Sequence, residues 1–65
     1  MITIQINGEE RKIEQGLKVD QLLEQLKLDA QRVVVERNRD IVPREKYSVT
    51  ALSEGDQLEI LHFVG

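Results

Sequence analysis

Apolar and polar residues alternate at the start of the chain, where Ile2, Ile4 and Ile6 are separated by Thr3 and Gln5. A period of two is the signature of a strand with one buried face. Asn7-Gly8 follows, a pair that tolerates the positive φ angles of a type I′ hairpin turn, so a second strand is predicted over Arg11 to Glu14 with Ile13 inward. Gln15-Gly16 ends it. The period then changes: Val19, Leu22, Leu23 and Leu26 recur at i, i+3, i+4 and i+7, with polar residues between them, which predicts a helix with one apolar stripe. Asp20 in its first turn and Lys27 in its last would complement the helix dipole. Lys18 stands where a capping Ser, Thr or Asp is expected.

Val33, Val34 and Val35 begin a third strand that ends near Asn38-Arg39-Asp40, and Ile41-Val42 forms a short fourth, stopped by Pro43. Residues 44–54 show no periodicity, and Glu54-Gly55-Asp56 reads as a turn. Leu58, Glu59 and Ile60 alternate into a final strand running toward the end of the chain. A hairpin, one helix and further strands predict an α+β fold, a sheet of four to five strands with the helix on one face. One helix covers one face only. If Leu58 and Ile60 point at the helix, pleating sends Glu59, Leu61 and Phe63 to the open face, and Val34 joins them because it opposes Val33 and Val35. Such an uncovered apolar patch is a candidate protein-binding surface.

The 65 residues allow a single domain, spanning 1–65, and 40% hydrophobic residues supply one core. Charged residues make up 32% of the chain, and its longest hydrophobic run, Val33-Val34-Val35, is far short of a bilayer span, so no membrane role is expected. No secretory signal follows Met1, which makes the cytoplasm the expected location. The net charge of −3 has the wrong sign for general nucleic-acid binding. The charge is also unevenly placed. Residues 1–46 hold all nine Lys and Arg with nine acids, whereas the last third holds Glu54, Asp56 and Glu59 with no base.

The catalytic inventory is thin. With no cysteine, thiolate nucleophiles, disulfides and cysteine metal sites are excluded, and the single histidine, His62, has no partner histidine for a metal site. Gly8, Gly16, Gly55 and Gly65 are isolated, so no phosphate-cradling glycine loop exists. No independent enzyme and no bound cofactor is expected. The chain end offers the one further possibility. A glycine has no Cβ, so its terminal carboxylate can enter a narrow slot and be activated by a second protein.

Five features then occur in order: the Asn7-Gly8 hairpin; Val19-Asp20-Gln21-Leu22-Leu23; Val35-Glu36-Arg37-Asn38 with Ile41-Val42-Pro43-Arg44; Glu54-Gly55-Asp56; and His62-Phe63-Val64-Gly65. Over its whole length the chain resembles the ThiS family, the sulfur carrier proteins of thiamine (thiazole) biosynthesis, which have the ubiquitin-like β-grasp fold. The Asn-x-x-Ile-Val-Pro-Arg and His-Phe-Val-Gly segments are the more specific parts of the likeness.

The resemblance implies a carrier whose C-terminal glycine carboxylate is adenylated by a ThiF-like enzyme using ATP. It is then converted to a thiocarboxylate with sulfur relayed from a cysteine desulfurase, and thiazole synthase takes up that sulfur. By carry-over Gly65 is the acceptor, residues 62–65 form an extended tail, and Leu61, His62, Phe63, Val64 and Val34 meet the partners. No chemical role attaches to Pro43 or Arg44; they read as a strand stop and a solvated or ion-paired residue. Members of the family end in Gly-Gly, often with a further glycine after His-Phe-Val, whereas Val64 precedes Gly65 here. Each missing residue would withdraw the carboxylate by ~3.3–3.6 Å, more than a reacting atom tolerates, so the native chain is expected to continue past Gly65. A MoaD-like carrier for molybdopterin synthesis and a non-carrier β-grasp interaction module with an inert tail are the alternatives.

Overall fold

The computed structural model describes residues 1–63, and within them the predicted order of elements is present. β1 (Ile2–Ile6) and β2 (Glu9–Ile13) form the first hairpin, α1 spans Val19–Gln25, β3 (Val33–Arg37) and β4 (Asp40–Val42) form the second hairpin, and β5 runs Gln57–His62. The sheet order is β2-β1-β5-β3-β4. β5 lies in the middle, parallel to β1 and antiparallel to β3. This central strand thus has a neighbour on both sides.

Both hairpins close through two residues with positive φ: Asn7 and Gly8 at 51° and 83°, Asn38 and Arg39 at 52° and 74°. These are the left-handed pairs that match strand twist in tight hairpins. The first turn lets β2 begin at Glu9, two residues earlier than the sequence pattern places it, because every residue from Glu9 to Ile13 finds a partner on β1.

The helix differs from expectation at both ends. Lys18 is its N-cap and offers no capping oxygen; instead the Gln21 Oε1 accepts the Lys18 N–H at 2.9 Å. Two further N–H groups of the first turn, on Val19 and Asp20, donate to the carbonyls of Thr50 and Tyr47 at 3.0 and 3.2 Å. Lys27 is not in the last turn. It lies beyond the C-cap Leu26 with φ 59°, while its N–H reaches the Glu24 carbonyl and that of Leu28 reaches Leu23. That pair of bonds is a Schellman stop, which needs one left-handed residue and tucks Leu28 against the core.

Residues 44–54, read as irregular, contain a 3₁₀ turn at Arg44–Lys46 and then serve the core. Tyr47 and Leu52 are buried, and the Tyr47 hydroxyl reaches the Val33 carbonyl at 3.5 Å. A second 3₁₀ turn, Ala30–Arg32, which the pattern did not reveal, leads into β3. The core is one layer between helix and sheet: Val19, Leu22 and Leu23 from α1 meet Ile2, Ile4, Ile13, Val33, Val35, Val42, Leu58 and Ile60. The alternation BiB in β1 and β3 and eBeBe in β5 puts the helix-facing residues where the sequence pattern places them.

Candidate functional site

β5 carries Leu61 and His62 and leads to Phe63, so the groups that fix β5 position these predicted contact residues. At its start Asn38 pairs with Gln57 through backbone and side chain: Asn38 N–H donates to the Gln57 carbonyl at 2.8 Å, and Asn38 Oδ1 accepts the Gln57 N–H at 3.0 Å. The Asn38 amide also donates to Asp56 at 3.0 Å. Asp56 is buried, accepts the Ser53 N–H at 2.8 Å and lies 3.5 Å from the Arg37 guanidinium. A carboxylate with three donors around it is a tolerable buried charge, and it holds the turn before β5 in one shape.

Midway along β5 the ladder with β1 ends, since the two strands pair only at Gln5–Gln57 and Ile6–Leu58. Asn7 continues it with its side chain. The Asn7 Oδ1 accepts the Ile60 N–H at 2.9 Å and its Nδ2 donates to the Ile60 carbonyl at 3.3 Å. The primary amide here imitates the next peptide group of a strand. At the far end, the Phe63 N–H donates to the Arg32 carbonyl at 2.8 Å, extending the β3 ladder by one bond past His62. The Ala30–Arg32 turn that offers this carbonyl is itself held: Arg44 Nε donates to Ala30 O at 3.0 Å and its Nη2 to Gln31 O at 3.4 Å. Arg44 is exposed, as the sequence reading has it, and also donates to these two backbone carbonyls.

The tail expected to start at residue 62 leaves the sheet later, because His62 is still in β5 opposite Val33. The register of β5 on β3 sets Leu61 opposite Val34 and Glu59 opposite Glu36, and that of β4 sets Ile41 beside Glu36. All five belong to the face away from the helix. Ile41, Leu61 and Phe63 are 66%, 48% and 58% exposed, and Val34 is half-buried. Among the predicted contact residues, Val34 and Leu61 are directly opposite each other, with Phe63 two residues beyond Leu61. Pleating sends His62, which is exposed, to the opposite side from Leu61, so the structure does not bring it to this patch. Val64 and Gly65 lie outside the described residues.

Ile41 and Glu36 were not among the residues singled out for this face. The signal for Ile41 was its parity in the second hairpin, which requires knowing the turn length first. Among the described residues no three His, Asp or Glu side chains are grouped to hold a metal ion, and no helix is long and apolar enough to cross a membrane. Taken together, the site is a firmly registered central strand that presents an apolar patch on one face.

Comparison with known proteins places this arrangement. The chain is 36% identical to the sulfur carrier protein ThiS of Bacillus subtilis over 63 residues, covering 95% of this chain and 96% of that one. It is 47% identical over 60 residues to a thiazole synthase of Paramagnetospirillum magneticum, covering 92% of this chain and 18% of that protein. A thiazole synthase of Magnetococcus marinus is 40% identical over 62 residues. The chain spans less than a fifth of the length of these two thiazole synthases. The crystal structure of the thiamine biosynthesis protein ThiS from Geobacter metallireducens superposes with a TM-score of 0.87 at 33% identity, covering 98% of this chain and 97% of that one. The family model of ThiS matches residues 4–65. The central strand, the helix on one face and the bare opposite face are thus the ubiquitin-like β-grasp arrangement, and the chain belongs to the ThiS family.

Proposed function

We propose that this protein is a sulfur carrier for thiazole formation in thiamine biosynthesis. Its reactive group would be the carboxylate of a C-terminal glycine, Gly65 or a glycine following it. An adenylating enzyme of the ThiF type activates this carboxylate with ATP, releasing pyrophosphate; persulfide sulfur relayed from a cysteine desulfurase then displaces AMP, and reduction of the resulting acyl disulfide by a thiol leaves a thiocarboxylate. Thiazole synthase then takes the sulfur. The chain is a cosubstrate in this scheme and performs no catalysis itself.

The observation that carries the reading is the full-length likeness to the Bacillus subtilis sulfur carrier, joined to the placement of β5. The chemistry fits the residues. A carboxylate becomes a useful electrophile only once activated, and an activating enzyme must reach it without engulfing the whole carrier. A strand held by β1 and Asn7 as far as Ile60, and by β3 up to the Phe63–Arg32 bond, keeps the body rigid while the residues beyond it enter a partner. The absence of cysteine from the sequence leaves no thiolate on the carrier to compete for the activated acyl group. The two thiazole synthases that contain a segment similar to this chain support thiazole synthase as the acceptor.

The test is reconstitution with the adenylating enzyme, ATP, a labelled sulfur donor and thiazole synthase. Label is expected in the thiazole product. Label on the carrier that passes to molybdopterin synthase and never to thiazole would assign the chain to the other pathway. Normal binding to both enzymes with the tail glycine deleted, and no labelling of the intact chain, would make it an interaction module with an inert tail.

A further inference from the structure

Glu36 and Glu59 sit directly opposite each other on β3 and β5, on the open face of the sheet. Like charges at this spacing destabilise a sheet. Neither has a cation of its own: among the described residues the ion pairs are Arg32 with Asp29 and Arg37 with Asp56. Of the three acids in the last third of the chain, two are used internally. Asp56 is held by Arg37, Asn38 and the Ser53 N–H, and Glu54 Oε1 accepts the Thr3 N–H at 3.0 Å. Glu59 is the third, and it is paired with another carboxylate.

The surroundings of the pair are apolar. Ile41 flanks Glu36 on β4, and Val34 and Leu61 form the next row toward the chain end. A face meant for water has no need of exposed Ile41, Leu61 and Phe63. A purely apolar cover would strand two carboxylates without water or counter-charge, at heavy cost. Both conditions are met by one kind of occupant: an apolar protein surface with a basic side chain at its centre. An arginine suits best, because its planar fork can bond both carboxylates at once.

We propose that Glu36 and Glu59 are the charge-recognition element of the docking face and receive an arginine or lysine from thiazole synthase. This rests on the carrier reading above. Thiazole synthase is the occupant because its relatives carry a segment similar to this chain within the same polypeptide.

The experiment compares the parent chain with Glu36→Gln/Glu59→Gln, measuring affinity for thiazole synthase at several salt concentrations and thermal unfolding alongside. Loss of both charges is expected to weaken binding about tenfold or more and to flatten its salt dependence. The melting temperature should hold or rise, since the repulsion within the sheet is gone. A merely structural role would lower it. Unchanged affinity and salt dependence overturn the proposal. So does a loss of binding that accompanies a fall in melting temperature, or a parent chain whose open face is occupied by a second copy in solution. Labelling of the tail by the adenylating enzyme, ATP and a sulfur donor separates the two levels. A double variant labelled normally that docks as well as the parent refutes this inference alone. A parent chain that is never labelled refutes the carrier reading and this inference with it.

Discussion

Replacing Asn7 should cost far more than its exposed position at a hairpin tip suggests. Two separate terms are involved. The first is conformational: Asn7 has φ 51°, and a residue such as Ala loses roughly 1–2 kcal/mol in the left-handed region. The second is the pair of bonds to Ile60, at 2.9 and 3.3 Å, whose loss leaves a part-buried backbone N–H and carbonyl without a protein partner. An unsatisfied group of this kind costs about 1–3 kcal/mol, and water at the strand edge reduces that to the lower half. Asn7→Ala should therefore lose about 2–4 kcal/mol, against a total of roughly 3–10 kcal/mol for a chain of this size. Asn7→Gly separates the terms, since Gly accepts the positive φ but makes no side-chain bond; a loss of about 1–2 kcal/mol is expected. Asn7→Asp keeps the acceptor for the Ile60 N–H and should fall between Gly and the parent. Urea unfolding followed by far-ultraviolet circular dichroism gives the ordering, and amide exchange at Ile60 reports the bond itself. A Gly variant within about 0.5 kcal/mol of the parent, with Ile60 equally protected, would refute the claim that Asn7 extends the ladder.

Leu23 is 1% exposed at the centre of the helix face, so Leu23→Ala should cost ~2–5 kcal/mol and leave much of the protein unfolded in thermal melts. A shift within ~0.5 kcal/mol would show that the helix does not close the core. Lys27→Gly places the preferred residue at the left-handed Schellman position and should stabilise by ~0.5–1 kcal/mol in urea titrations; a destabilised variant would contradict the assigned φ of 59°. Phe63→Ala removes a 58% exposed side chain and should change stability by less than ~0.5 kcal/mol while weakening binding to the partner enzymes, measured calorimetrically. A large drop in melting temperature would place Phe63 in the core instead.

The elements that could be read from the chain are those in which one physical signal dominates. Ile2, Ile4 and Ile6 alternate because the sheet has one wet face, and Val19, Leu22, Leu23 and Leu26 recur helically because one stripe is buried. The open face followed from the same alternation in Leu61 and Val34 once a single helix was recognised. What stayed hidden depends on contacts between distant segments. Nothing local marks residues 44–54 as ordered, since their order comes from Tyr47 and Thr50 accepting the helix N–H groups and Tyr47 filling the core. The bonds of exposed Arg44 to the Ala30 and Gln31 carbonyls stayed hidden because that turn is thirteen or more residues away. The Glu36–Glu59 pairing needed the register of β3 on β5, which composition cannot supply. His62 was read as a tail residue that meets partners, and pleating sets it on the opposite face from Leu61 and Phe63.

The central claim is that the chain end carries sulfur, and intact-protein mass spectrometry tests it most directly. The full native chain is incubated with the adenylating enzyme, ATP and a sulfur donor, and the product is weighed and fragmented. The account predicts a mass increase equal to exchange of one oxygen for sulfur, located at the C-terminal glycine and dependent on ATP. An unchanged mass with an enzyme that activates another carrier under the same conditions, or sulfur found anywhere else in the chain, would contradict it.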